Sequence, residues 1–282
     1  MQVYSINTGL FKLDGGAMFG VVPKTMWNKL NPADENNMCT WAMRCLLVID
    51  GDRKILIDTG MGNKQSDKFF SHYHPHGEDT LLGSLAALKF NPEDITDVIL
   101  THLHFDHCGG AVTRKDDELV LTFPNALYWS SEAHWSWAID PNPREKASFL
   151  KENIIPIQKS GQLRFVDEIP NQRTKFNEHI DIQFLHGHTR SMMLPMINWN
   201  GRTIAYMADL VPSVAHIPLP YVMAYDMYPI TTLEEKESFL NEAAEKNYIL
   251  FMEHDPVYTG CTVERTEKGI RKKEVIELTR SS

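Results

Sequence analysis

The chain has 282 residues, 43% hydrophobic and 23% charged, with a formal net charge of -9 at pH 7. That length fits one large domain or two small ones, each able to bury a full core. The acidic balance excludes a nucleic-acid surface, which needs clustered Lys and Arg, and the one short basic run, Arg271 to Lys273, sits beside acids. The N-terminal stretch has no basic n-region and no apolar h-region, and no window approaches roughly 18 uninterrupted apolar residues, so neither a leader nor a membrane span is expected. Cys39, Cys45, Cys108 and Cys261 show no CxxC spacing. Disulfides are not expected, a reducing cytoplasmic setting is, and Cys39, Cys45 and Cys261 read as small apolar filler.

In chain order, strand-like runs begin with "QVYSI" (2–6) and "AMRCLLVID" (42–50). The second leads into "KILIDTG" (54–60) through a hairpin turning at Gly51-Asp52 and ending at Asp58. "DTLLGSLAALKF" (79–90) has helical spacing. "DVILTH" (97–102) and "ALYWS" (126–130) are strands. "PREKASFLKENI" (143–154), with Pro143 in its first turn, is a helix candidate. The surrounding segment from Trp135 to Pro156 starts with turn residues and turns helical, as a lid would. Further strands are "IDIQFLHG" (180–187), "RTIAYMAD" (202–209) and "YILFMEHD" (248–255). Before the last of these, "TTLEEKESFLNEAAEKN" (231–247) opens on a capping-box pattern, Thr232 followed by Glu235. There is no internal repeat and no low-complexity linker, and strands mixed with helices imply a layered α/β architecture.

Several strands end in metal-capable residues: Asp58, the cluster "THLHFDHCGG", His186 with His188, Asp209, and His254. Strand ends in layered folds converge on one edge. His102 and His104 are two apart, so on an extended segment both face the same way and can reach one ion. Asp106 and His107 follow where the chain turns, point in different directions, and can face a second ion. Gly109 and Gly110 permit the tight backbone turn that such crowding needs. Imidazole and carboxylate suit a borderline divalent ion. Six residues cannot close two metal shells, so His188, Asp209 and His254 supply the missing imidazoles and a carboxylate able to bridge. The rival series His72, His74 and His76 contains Pro75, lacks a strand lead-in, and reads as an exposed loop. His134 and His179 read as surface or packing residues.

"THLHFDHCGG" resembles the signature of the metallo-β-lactamase superfamily, with "ILIDTG", "GHT" (187–189), "AD" ending at Asp209 and "EHD" around His254 in the family's order. The resemblance spans nearly the whole chain and implies one four-layer αββα sandwich domain over 1–282. It places His102, His104 and His188 on one metal, Asp106, His107 and His254 on the other, Asp209 as the bridge, and Asp58 behind the ligands as their support. Two divalent ions per chain are implied, zinc first, with manganese, iron and cobalt tolerated by the same donors. Such a pair lowers the pKa of a shared water and polarises a carbonyl, with Asp106 and Asp209 as the catalytic carboxylates and Asp209 the candidate proton donor to the leaving alkoxide. "LDGGAMFGVVPKTMW" (13–27) and "FPNALYWSSEAHW" (123–135) resemble the branch of N-acyl-homoserine lactone lactonases and their phosphotriesterase relatives. The implied partner is a small lactone or ester, not nucleic acid or membrane, with a homodimer as the default assembly.

That resemblance leaves three function classes to separate: lactone opening, organophosphate or aryl ester hydrolysis, and iron-dependent redox chemistry. The complete donor set and the absence of a flavin-domain pattern disfavour the last, and the Asp106–His107 pair disfavours β-lactams. Some lactonases of this branch carry a Tyr three positions after the bridging Asp, where Pro212 stands here. His216, then Tyr221 and Tyr225, are the candidates to replace it. Met18, Phe19, Val21 and Trp27 form an apolar run expected to line an acyl-chain pocket.

Overall fold

The computed structural model describes residues 1–278. The first sheet is built from β1 (Gln2–Asp14), β2 (Met38–Asp50), β3 (Arg53–Ile57) and β4 (Asp97–Ile99). A small side hairpin, β5 (Val112–Lys115) with β6 (Glu118–Leu121), precedes its last two strands, β7 (Leu127–Ser130) and β8 (Leu163–Phe165). The spatial order is β1-β2-β3-β4-β7-β8. The β2–β3 register pairs Asp50 with Arg53, so Gly51-Asp52 is the expected turn, and Gly51 takes the φ of 60° that favours glycine there.

The second sheet holds β9 (Thr174–Lys175), β10 (Ile180–Leu185), β11 (Met192–Trp199), β12 (Arg202–Tyr206), β13 (Ile249–Phe251), β14 (Gly260–Thr266) and β15 (Gly269–Ile276), in the order β15-β14-β13-β12-β11-β10-β9. The helices are α1 (Gly15–Phe19), α2 (Lys24–Trp27), α3 (Asp67–Tyr73), α4 (Leu81–Ala87), α5 (Phe105–Cys108), α6 (Glu132–Ile139), α7 (Lys151–Ser160) and α8 (Pro229–Lys246).

The apolar run in β2 is continuous because both faces of the first sheet are covered. Leu46 and Val48 point inward, with Ile55, Ile57 and Ile99, against β10–β13 of the second sheet. Cys45 and Leu47 point outward against Leu81 and Leu85 of α4 and Ile154 and Ile157 of α7. Phe239, Leu240 and Ala243 of α8 close the other side of the second sheet. The result is the expected αββα sandwich. Among the described residues no helix is long and apolar enough to cross a membrane.

Strand direction sets the site. β10 is antiparallel to β11, β11 to β12, and β12 is parallel to β13, so β10, β12 and β13 run the same way. Their ends, just before His188, Asp209 and His254, therefore share one edge. β3 and β4 are likewise parallel and lead into Asp58 and His102.

Three local expectations are corrected. The helix expected over 143–154 is a turn followed by α7, which starts at Lys151. Asn142 Oδ1 accepts from Arg144 N at 2.9 Å and Glu145 N at 3.2 Å, which stops the backbone from propagating a helix there. Pro156 lies inside α7, where burial of Ile154 and Ile157 outweighs its lost hydrogen bond. Thr232 does not cap α8: the helix begins at Pro229, and Glu235 instead accepts from His186 N (2.7 Å) and Gly187 N (3.0 Å). His72 lies on α3 rather than in a loop, and His74 ends that helix in left-handed geometry at φ 43°.

Candidate metal centre

The centre is built outward from Asp58, which follows β3 at φ 57°. Its carboxylate accepts from Thr101 N (2.8 Å), Thr101 Oγ1 (2.7 Å) and His107 Nδ1 (3.1 Å). This pins both ends of the His102–His107 loop to one side chain. His104 is extended and α5 begins immediately after it, so Asp106 and His107 diverge. Thr59 N and Oγ1 donate to His107 O at 2.7 and 2.9 Å. The loop packs so closely here that a Cβ on Gly109 would lie 2.0 Å from Met61 O.

The structure brings all seven sequence-nominated donors together. Ligand atoms of His102, His104, His188 and Asp209 lie within 4.8 Å of one another, as do those of Asp106, His107 and His254. Asp209 reaches both groups: Oδ2 is 3.0 Å from His188 Nε2 and Oδ1 is 3.1 Å from His254 Nε2. His104 Nδ1 faces His102 Nε2 at 3.1 Å and His188 Nε2 at 3.2 Å. His107 Nε2 faces His254 Nε2 at 3.2 Å.

The outer nitrogens decide whether a cation fits. His104 Nε2 donates to Glu145 (3.1 Å), His188 Nδ1 to Asp226 (2.8 Å), His107 Nδ1 to Asp58, and His254 Nδ1 to Ala42 O (2.8 Å). Thr101 Oγ1 gives its hydrogen to Asp58 and so accepts from His102 Nδ1 at 3.1 Å. Each ring proton is therefore placed outward by an acceptor, and each inner nitrogen presents a lone pair to the centre. Lone pairs converging at these distances, beside an Asp209 Oδ1 that is buried without a hydrogen-bond donor, fit a bound cation and little else. The donor set fits a pair of divalent ions.

The local charges agree. Burial pushes His102 and His104 down. For His188 burial is outweighed by Asp209 and Asp226, and its pKa rises to about 10. For His254 burial is outweighed chiefly by Asp209, giving about 9. Burial would raise Asp209, but His188, His107 and His254 hold it well below the usual carboxylate range. The carboxylates thus demand positive charge at the centre, which a metal supplies as protons would.

Above the donors lies a cavity of about 250 Å³, floored in part by His104, Asp106, His188, Asp209 and His254. Leu13, Met18, Phe105 and Met223 form apolar wall, and Tyr73, Arg144 and Tyr225 add polar groups. Of the residues nominated for substrate, Met18 lines this cavity. Phe19, Trp27 and His216 do not: they stack behind it, Phe19 on His216 at 4.5 Å and on Trp27 at 5.2 Å. His216 has no free nitrogen, since Nε2 donates to Met18 O (2.9 Å) and Nδ1 accepts from Ser213 Oγ (2.8 Å). Burial holds its pKa near 3. Val21 is 93% exposed. Tyr221 packs edge-on against Phe19, and Tyr225, with the unforeseen Tyr73, is a phenol on the cavity wall.

Sequence reading missed Glu145, Asp226, Glu253 and the Ala42 carbonyl. Glu253 Oε1 lies 3.1 Å from His107 Nδ1, whose hydrogen is aligned on Asp58 instead, and burial raises its carboxyl. His134 is a packing residue with a structural task. Its Nε2 accepts from Leu103 N (2.8 Å) and its Nδ1 donates to Arg190 O (2.7 Å), joining the two loops that carry His102 and His188. His72, His74 and His76 stand on the exposed face, away from the donor groups.

Residues 44–254 match the model of the metallo-beta-lactamase superfamily. The chain belongs to that superfamily. An N-acyl homoserine lactonase of Bacillus cereus is 32% identical over 137 residues, 45% of this chain and 48% of the lactonase. That match spans about half of the relative's length. A structure described as a probable metal-dependent hydrolase from Staphylococcus aureus superposes with a TM-score of 0.88 at 29% identity, covering 99% of this chain and 98% of the other. AidC, a dizinc quorum-quenching lactonase solved with its product N-hexanoyl-L-homoserine, superposes with a TM-score of 0.77 at 25% identity, covering 98% and 94%. In this metallo-beta-lactamase chain the matched region runs from β2 to His254 and takes in all seven donors.

Proposed function

We propose that this metal-dependent hydrolase opens the lactone ring of N-acyl-homoserine lactones at a two-metal centre, with zinc the first candidate ion. The observation that carries the reading is a seven-donor cage, its imidazoles anchored outward, opening into a cavity with apolar wall. The lactonase names of the Bacillus cereus relative and of AidC support the substrate class. In this reading His102, His104 and His188 with Asp209 hold one ion, and Asp106, His107 and His254 with Asp209 hold the other. The ions would supply Lewis acidity for the ring carbonyl and an activated water at neutral pH.

The chain's own residues do the rest. The outward anchors Glu145, Asp226, Asp58 and Ala42 O keep the imidazoles from reorienting. In this reading a water held by Asp209, which reaches both groups and stays ionised, passes a proton to the leaving alkoxide. The phenols of Tyr73 and Tyr225 are available as hydrogen-bond donors to the ring carbonyl, a role that Pro212 cannot fill. Leu13, Met18 and Met223 offer apolar surface to an acyl chain.

The test is metal analysis of purified protein together with a panel of acyl-homoserine lactones, a phosphotriester and an aryl ester. About two ions per chain and preferred lactone opening are expected. A preferred phosphotriester or aryl ester keeps the centre and refutes the substrate. A single iron per chain with no hydrolysis of any compound refutes the reaction class.

A further inference from the structure

Arg144 sits where three segments meet over the cavity. Asn142 caps the turn that carries it, sending Glu145 inward to His104 and Arg144 across the mouth. Arg144 Nη2 donates to Ala224 O and, at 3.4 Å, to Asp226 O. Ala224 N in turn donates to Ala17 O at 2.8 Å, tying α1 to the same rim. One end of the guanidinium is thus held by the protein. Among the described residues Nε and Nη1 have no hydrogen-bond partner, and no carboxylate pairs with the charge. A planar fork anchored at one nitrogen, on a residue that lines the cavity, is preorganised for an oxygen acceptor. The wall formed by Leu13, Met18, Phe105 and Met223 offers no such discrimination, because apolar contact takes any alkyl chain.

We propose that Arg144 is a specificity residue whose free Nε–Nη1 edge takes the acyl amide oxygen of the substrate, so that the site selects lactones bearing a side-arm carbonyl over alkyl lactones that lack one. This rests on the lactone reading of the centre. Because the side chain is exposed, the contact competes with water and lies at the low end for a charge-assisted hydrogen bond, about tenfold in kcat/KM.

The experiment compares metal-loaded wild type, R144K and R144A on N-hexanoyl-homoserine lactone and on α-heptyl-γ-butyrolactone, which carries an alkyl arm of similar length on the same ring carbon and no amide. Calorimetric binding of the two ring-opened products is a second readout. Both products carry a carboxylate, so a difference between them reports the amide. The expected result is a loss of about tenfold on the amide lactone, mainly in KM, in both variants, with less than about a twofold change on α-heptyl-γ-butyrolactone and a parallel loss of affinity for the amide product alone. R144K keeps a charge able to reach Ala224 O, so a loss there separates the fork from the tie. Equal losses on both lactones, or no loss, overturn the proposal while leaving the lactonase reading intact. Wild type that turns over neither lactone but cleaves the phosphotriester or aryl ester overturns both.

Discussion

Replacing Glu145 by Ala removes one outward anchor without touching any nominated ligand. Its buried carboxylate accepts from His104 Nε2 (3.1 Å), Trp137 Nε1 (2.6 Å) and Asn142 Nδ2 (3.0 Å). Burial would raise its pKa, but His104 and the other donors hold it near 2. Without Glu145 nothing obliges the His104 proton to sit on Nε2, and the lone pair on Nδ1 is no longer guaranteed to the centre. Loss of such an outer partner typically costs about 10- to 100-fold in metal affinity, or about 1.4–2.7 kcal/mol. Trp137 and Asn142 are part-exposed, so water replaces some of what they lose, and the folding cost is about 2–4 kcal/mol for three donors deprived of an acceptor. E145Q is intermediate for the metal: its amide oxygen can serve His104, but its NH2 then meets the Trp137 and Asn142 donors. Free-metal titration against a chelator buffer reads the affinity, and denaturant melting of the metal-free protein reads the fold. One of two ions should weaken in E145A. Wild-type affinity for both ions, alongside a lowered melting midpoint, would refute the argument and reduce Glu145 to a packing residue.

Asp58→Asn should weaken both ions together, because Asp58 orients His107 directly and His102 through Thr101; metal titration showing loss at one ion only would count against that shared support. His134→Ala should cost about 2–4 kcal/mol, since Leu103 N and Arg190 O lose a buried partner. Burial lowers the His134 pKa from 6.5 to about 4, so the stability that depends on its neutral ring is whole above pH 6.5 and is lost as pH falls through 4; the gap between wild type and variant in acid melts should shrink across that window. Gly109→Ala should strip metal or fail to fold, because its Cβ would meet Met61 O at 2.0 Å with backbone on both sides; wild-type metal content in a soluble G109A would show that the loop can move.

The sequence made the donors legible because their chemistry is local. His102 to His107 lie in one loop, and His188, Asp209 and His254 each follow a strand whose apolar run is unmistakable. The strands were legible because the sandwich buries both faces of β2, leaving "CLLVI" without polar interruption. Apart from Asp58, which the family resemblance implied, the anchors were not legible, because they come from far along the chain: Glu145 is 41 residues from His104, Asp226 is 38 from His188, and Ala42 is 212 from His254. One of them is a backbone carbonyl, which no residue type announces. Of the nominated pocket residues Met18 lines the cavity, while Phe19, Trp27 and His216 do not, for a related reason. Apolar character is the same for a residue that lines a cavity and one that packs behind it, and the Trp27–Phe19–His216 stack took the second place. Glu235 looked like a helix-capping residue because its spacing from Thr232 is right, yet its carboxylate holds the backbone before His188 instead.

The division between anchored cage and tied mouth has a consequence for substrate choice. Every imidazole in the cage has its outer nitrogen engaged, His102 by the adjacent Thr101 and the other four by segments distant in sequence, so a ligand cannot shift toward a new substrate without breaking a buried hydrogen bond. The mouth is held more lightly. Arg144 is exposed and joins the turn at 142–148 to the loop through Ala224, and Ala224 joins that loop to α1. A change confined to the Arg144 side chain removes none of the hydrogen bonds made by the imidazoles themselves. On the proposal made for Arg144, a single donor cage would serve different leaving groups while the mouth set which side arm is admitted, and the substrate question would turn on Arg144, Tyr73 and Tyr225 rather than on the seven donors beneath them.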